Sequence, residues 1–377
     1  MRRPVILAGS PSIADVFRKD TSTLFDETGG NTGNLAFRYG LASHTKDVLF
    51  SHWDAPVDEI RAAADILLLP LANQLGPHTD LGHLADRIEA FGLPVVGIGL
   101  GAQAASAAVD VELTVGTERW LRTMIAHAPS DHPNIGVRGA YTQAQIARLG
   151  LGDKVAVTGC PSNFITMHHD VAKTLAEGFA ATPELVAVTA GIPYIPRLRA
   201  LEHELAQLVT DTGGAYIVQH GKEMLHLARN ELDQLGAEKL ELCRDYIRPD
   251  LDLADFRTWC RRYAYAFFDA PVWMDFLKRF DFVVGTRFHG AMLALQVGVP
   301  AAVIAHDSRT YEMCTTMGVP VRMDTDIDGP LTRERLPELF PFDPDAFVEK
   351  RRTLHGTYSR ILQDAQIDTV DPLKLMF

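Results

Sequence analysis

Short apolar runs alternate with stretches of helical period along the whole chain. In the first half the runs are PVILAG (4–9), DVLF (47–50), DILLLP (65–70), PVVGIGLG (94–101), IGVR (135–138) and KVAVTG (154–159). Their residues are apolar in succession and not in alternation, as in strands buried on both faces. Between them HLADRIEAFG and TQAQIARLG carry helical spacing, the second closing on Gly150 as a C-cap. Buried strands separated by helices predict a parallel sheet covered on each side.

Near residue 170 the pattern changes to a helical, Ala-rich connector, VAKTLAEGFAATPE. Strands then resume at LVAVTAG (185–191), AYIVQH (215–220), FVVGTR (282–287) and AAVIAH (301–306), around a helix-rich middle, EKLELCRDYIRPDLDLADFRTWCRRYAYAFF. TRERLPELF and FVEKRRTLHGTYSRILQDAQ close the chain as helices. The fold class predicted is α/β, two Rossmann-like domains facing a cleft. Residues 1–175 form the first domain, 176–330 the second, and 331–377 the terminal helices. Ligands of such sheets bind beyond the carboxyl ends of the strands.

The composition, 47% hydrophobic and 22% charged over 377 residues, suits a globular protein with a full core. A net charge of -12 gives nonspecific binding to nucleic acid or anionic lipid no support from the overall field. No run approaches the ~20 apolar residues of a membrane span. The opening MRRPVILAGSPS is too brief for a secretory signal and reads as a first strand, so a cytoplasmic protein is expected. Cys160, Cys243, Cys260 and Cys314 lie far apart without a CxxC pair, indicating neither a zinc site nor a disulfide framework. No His/Asp/Glu set has ligand spacing on one helix face, so no metal is expected.

Polar and glycine-rich stretches fall at the predicted strand ends. In ETGGNTGNLAFRYG, Gly29, Gly30 and Gly33 surround Asn31, Thr32 and Asn34 ahead of a helix. This is either a loop that lets backbone N–H groups approach an anion or a flexible connection with an Asn N-cap. GIGLGAQ offers Gln103 as a possible contact. VRGAYT puts Arg138 at a strand end, where it must find a ligand anion or a carboxylate, and Thr142 where it can cap a helix. Cys160 in GCPSNF reads as a small buried hydrophobe, since no His or Lys stands beside it in sequence. The second half adds His220, His306, Asp307 and Arg309 at strand ends.

The most informative stretch is GTRFHGAMLALQVGVP. A buried strand, DFVV, hands over to a buried helix, so Arg287 and His289 project from the junction beside free helix N–H groups. Arg287 offers a forked cation for carboxylate or phosphate, and His289 can carry a proton near neutral pH. The helix end and Arg287 disfavour an imidazolium in the empty site; a bound polyanion reverses the sign and raises the histidine's pKa. An Arg tied to an acidic residue across the cleft is the structural alternative.

GTRFHG followed by VGVPAAVIAHDSR resembles the signature region of the polysaccharide pyruvyl transferase family, in which an Arg–hydrophobic–His triplet opens a helix. The resemblance extends to VRGAYT, to VTGCPS after a helix ending in LG, and to the GNTGN loop. Three positions depart from the family's pattern: Asn34 stands where Asp is common, Arg309 where Lys is frequent, and Phe288 where Leu is commoner. The resemblance implies a GT-B-like pair of domains and a phosphoenolpyruvate-dependent transferase. It moves pyruvate to a sugar diol of a polysaccharide or its precursor, forming a ketal and releasing phosphate. The expected partners are phosphoenolpyruvate, bound by the second domain, and a saccharide or lipid-linked oligosaccharide on the first, with at most peripheral membrane association. No cofactor is implied. His289 would be the acid and Arg287 the donor's anchor; Arg138, Asn31, Gly33, Asn34, His220, Asp307 and Arg309 would bind substrate. The competing readings are a nucleotide-sugar glycosyltransferase of the same architecture and a non-catalytic sugar- or anion-binding protein.

Overall fold

The computed structural model describes residues 1–103, 109–168 and 170–377. All ten predicted strands are present, trimmed at their ends. The first sheet consists of β1 (Pro4–Ile6), β2 (Leu49–Phe50), β3 (Ile66–Pro70), β4 (Val95–Leu100), β5 (Ile135–Val137) and β6 (Val155–Val157), all parallel, in the order β2-β1-β3-β4-β5-β6. The second consists of β7 (Val186–Thr189), β8 (Ala215–Ile217), β9 (Ala264–Tyr265), β10 (Phe282–Gly285), β11 (Ala301–Ala305) and β12 (Val321–Met323), parallel and ordered β12-β11-β10-β7-β8-β9. The sequence pattern missed β9 and β12. Both are edge strands of two or three residues; β9 follows the helix Leu253–Tyr263 without a break, and Arg322 interrupts the half-buried β12.

These orders locate the crevices. The chain goes outward from β1 to β2 and returns to β3, and likewise outward from β7 to β9 before returning to β10. The connections reverse between β1 and β3 and between β7 and β10, and a crevice opens beyond the strands' carboxyl ends at each reversal.

Four helices build or brace the junction between the domains: α1 (Asn34–His44), α2 (Phe288–Gln296), α3 (Ser308–Met317) and α4 (Pro344–Asp364). Every residue of α2 is buried, because it lies between the second sheet and the first domain. It packs against α1, against the 3-10 turn Pro161–Phe164, and against β7, β10 and β11. One apolar cluster therefore runs unbroken across the junction, from Ile6, Phe37 and Leu41 through Phe164 to Met292 and Val303. A junction built of core, as here, is stiffer than the polar contacts usual between domains.

The segment predicted as terminal helices does more than end the chain. Asp343 caps α4 by accepting the Ala346 N–H at 2.9 Å, and Pro344 opens its first turn, where a missing N–H is harmless. The helix then crosses to the first domain, packing on β5, β6 and the Pro161 turn. Arg351 donates to the carbonyls of Asn163 (3.1 Å) and Thr166 (2.9 Å), and bridges pair Arg2 with Ile367 and Thr45 with Thr369. Among the described residues no helix is long and apolar enough to cross a membrane.

Candidate functional site

The reversal between β7 and β10 brings Thr189 and Arg287 together. Thr189 accepts the Thr286 N–H on its carbonyl at 3.1 Å and the Arg287 N–H on its hydroxyl at 3.4 Å. Arg287 is the N-cap residue of α2, and its guanidinium turns into the second domain. Its Nε and Nη2 are buried without a hydrogen-bond partner among the described residues. Burial pulls its pKa down; Glu202 and Tyr246 oppose the shift, Arg309 reinforces it, and Asp307 again opposes it. A buried guanidinium with donors unused carries a large desolvation penalty that an anion would offset.

Glu202 does not fill that role by direct bonding. Its carboxylate is fully buried and engaged elsewhere, accepting the Gly191 N–H at 3.0 and 3.1 Å and the Tyr216 hydroxyl. Burial raises its pKa, while Tyr216, Gly191 and Arg287 act the other way. The acidic neighbour of Arg287 thus lies in the same domain, not across the junction, and leaves the Nε and Nη2 donors free. The buried Tyr246 hydroxyl beside them is also unpartnered.

His289 is placed differently from the expectation. The ring is wedged into the domain junction and does not face open space. Its centroid lies 5.5 Å from that of Phe37 on α1, and its Nε2 is 3.7 Å from the Cys160 thiol. Burial pushes its pKa down to about 3, with Arg138 and Arg309 contributing. A neutral imidazole is what the sequence predicts, but from the helix end and Arg287; the leading cause in the structure is burial, with Arg138 and Arg309 after it. Cys160 is buried in the core as its sequence predicts, and a histidine stands beside it in space, contributed by α2 and 129 residues along the chain. The Ser162 hydroxyl donates to the same sulfur at 3.0 Å.

Arg138, at the end of β5, is buried and pairs with no carboxylate among the described residues. Its Nε donates to Gly99 O (2.7 Å), Nη1 to Asn73 Oδ1 (3.1 Å) and Nη2 to Leu71 O (3.4 Å), and it lies over the Phe37 ring. Arg309 reaches across the junction, donating to Gln103 Oε1 at 3.3 Å and to Asp307 at 3.1 Å. Asp307 also caps α3 through the Thr310 N–H.

The GNTGN loop is the contact that closes the junction. The Thr32 N–H donates to Gln219 O at 2.8 Å, and His220 Nδ1–H donates to Gly30 O at 2.7 Å. Asn31 pairs with His220 as an antiparallel bridge and accepts the Gly33 N–H on its side chain at 2.8 Å. A Cβ at Gly33 would stand 2.9 Å from Asn31 Oδ1 and 3.2 Å from the His289 Cβ, so only glycine permits this approach. Gly33, not an asparagine, caps α1.

The polysaccharide pyruvyl transferase model matches residues 25–308, three quarters of the chain, taking in every residue of this constellation except Arg309. The chain belongs to the polysaccharide pyruvyl transferase family. No curated protein matches it. Two solved structures align over nearly its full length: MnaA of S. aureus with UDP (11% identity, 96% of this chain and 98% of that one, TM-score 0.42), and a ugt transferase from Siraitia grosvenorii with UDP (10%, 97% and 99%, TM-score 0.39). Likeness at that level carries no functional content.

Within this pyruvyl transferase the Asn34 departure has a local explanation. Its Nδ2 donates to the carbonyls of Thr28 (2.8 Å) and Gly29 (3.3 Å), which a carboxylate could not do. Asn34 thus braces the loop from inside. Thr142 is likewise not a cap; it lies within the helix Ala140–Arg148 and accepts the Ala102 N–H at 3.0 Å. His306 stays at the rim, its Nδ1 buried and unpartnered, held by Arg197 through its backbone carbonyl. The sequence pattern gave no sign of Glu202 and Tyr246, which stand among the other polar residues of amphipathic helices. A groove of about 890 Å3, lined by Tyr39, Met167, His168, Lys278 and Gly298, adjoins the opposite end of α2 from His289.

Proposed function

We propose that this pyruvyl transferase takes its pyruvyl group from phosphoenolpyruvate and closes a ketal on two hydroxyls of a saccharide. The observation that carries the reading is Arg287, with two buried donors unused at the β7/β10 reversal and His289 two residues on. The donor's carboxylate and phosphate supply the counter-charge that the guanidinium lacks. The same anion acts on His289. Burial, Arg138 and Arg309 hold the ring neutral in the empty protein. Negative charge near it, partly neutralising those arginines, favours the imidazolium.

The imidazolium gives a proton to the methylene carbon of phosphoenolpyruvate, turning it into a methyl group and leaving an oxocarbenium-like C2. One sugar hydroxyl bonds to C2, and its proton returns to His289. The C2–O bond to phosphate then breaks, and the second hydroxyl closes the ring, its proton leaving with the phosphate. Because Phe37 and the GNTGN loop cover His289, turnover requires this loop to lift from Gln219 and His220.

The test is incubation with 13C-labelled phosphoenolpyruvate and diol-bearing saccharides. Phosphate release matched by a labelled ketal carbon is expected. Release of phosphate without ketal, or no consumption with any acceptor while a nucleotide sugar is consumed, contradicts the reading.

A further inference from the structure

Buried arginines in this chain satisfy their donors in different degrees. Arg351 and Arg138 direct theirs to carbonyl oxygens of backbone and amide. Arg38, on α1, donates from Nη1 to Glu27 O at 2.9 Å, while its Nε is buried with no partner. Its residue is 8% exposed, and among the described residues it forms no ion pair. Burial alone lowers its pKa, to about 10, with no carboxylate acting on it. Nη1 holds the carbonyl that ends the helix Thr21–Glu27, but among the described residues no carboxylate balances the charge.

Its position is what a ligand site requires. A Cβ at Gly9, just past β1, would lie 3.9 Å from Arg38 Nη1 and 3.2 Å from His52 Cε1, His52 itself following β2. A Cβ at Gly29 would lie 3.5 Å from Arg38 Nη2. Gly9 and Gly29 both have positive φ, 72° and 65°, and bring no side chain of their own to the guanidinium, though His52 Cε1 and Asn34 Nδ2 lie 3.2 Å from the respective Cβ positions. Gly9 and His52 follow the carboxyl ends of β1 and β2, next to the first sheet's own reversal. Phe37, the preceding residue, touches His289.

We propose that Arg38 anchors a second oxyanion site, separate from Arg287, that holds a phosphate-type group carried by the acceptor. The inference deepens the transfer reading, on which the word acceptor rests. A carboxylate on an acidic sugar has the same oxyanion chemistry, and the test separates the two.

The experiment is calorimetric titration with inorganic pyrophosphate in an Arg287→Ala background, where the donor anchor is removed. Saturable binding is expected, weakened at least tenfold by adding Arg38→Gln and only partly by adding Arg38→Lys. Far-UV circular dichroism checks the fold of each variant. Competition by a sugar 1-phosphate and not by glucuronate supports the phosphate-type ligand; competition by glucuronate alone overturns it. Unchanged pyrophosphate affinity in Arg38→Gln overturns the site; if that variant does not fold, unchanged affinity in Arg38→Lys does so. Arg38-dependent binding in a protein that transfers no pyruvate would sink the transfer reading and leave this site standing. Transfer with Arg38-independent binding would do the reverse.

Discussion

His44 and His289 are both buried, and burial pushes both to a pKa of about 3. Their surroundings differ. His44 shares its Nδ1 with the Tyr358 hydroxyl at 2.8 Å, next to Phe164, where α4 straps the first domain. The further influences on it are the Phe164 carbonyl and His355. His289 has Arg138 and Arg309 as its further influences, and stands two residues from an arginine with unused donors. A low pKa therefore does not single out the chemical residue. What distinguishes His289 is the pair of arginines around it, whose charge an arriving anion can neutralise.

The largest effect that would sharpen this contrast is on turnover. His289→Gln should retain phosphoenolpyruvate binding and lower transfer about 10²–10⁴-fold, the usual worth of a positioned acid. His44→Gln should leave the rate per folded molecule within a few-fold. Equal losses in both variants would erase the distinction. Arg287→Ala should weaken phosphoenolpyruvate binding itself, by about 2–5 kcal/mol for a buried charge partner, read by calorimetry.

Next comes the pH dependence of stability. Each histidine is depressed from 6.5 to about 3, so between those values the unfolded chain binds the extra proton. Stability is thus fully present above pH 6.5 and falls on acidification, by up to about 1.4 kcal/mol per pH unit per histidine. Chemical denaturation from pH 7 to 4 should show this slope, and either Gln variant should flatten it. A slope unchanged in both would mean that neither ring is buried neutral. The smallest effect expected is that of Tyr358→Phe, which removes the His44 partner and should cost about 1–3 kcal/mol without altering phosphoenolpyruvate affinity.

The same contrast shows what a sequence can and cannot reveal. The eight inner strands were legible because burial on both faces makes them continuous apolar runs, and the edge strands β2 and β6 because they carry one too; β9 was not, because it follows the helix Leu253–Tyr263 without a break, nor β12, which Arg322 interrupts. Arg287 and His289 were legible as a pair because one strand-to-helix junction supplies both. Partnerships across the junction were invisible: Cys160 with His289, the GNTGN loop with Gln219 and His220, Arg309 with Gln103. Each joins residues far apart in sequence, and nothing local marks a side chain for a distant partner. Arg38 did leave a trace, a cation set among apolar residues in NLAFRYGL. Glu202 left none, since a glutamate among the other polar residues of an amphipathic helix reads as solvated.

The most direct test of the central claim is a pH titration of the His289 ring by NMR in 15N-histidine-labelled protein, assigned with His289→Gln, with and without phosphoenolpyruvate. The account predicts a His289 pKa raised by more than one unit in the complex, with His44 unmoved. A His289 ring that stays unprotonated down to pH 4 with the donor bound would contradict it.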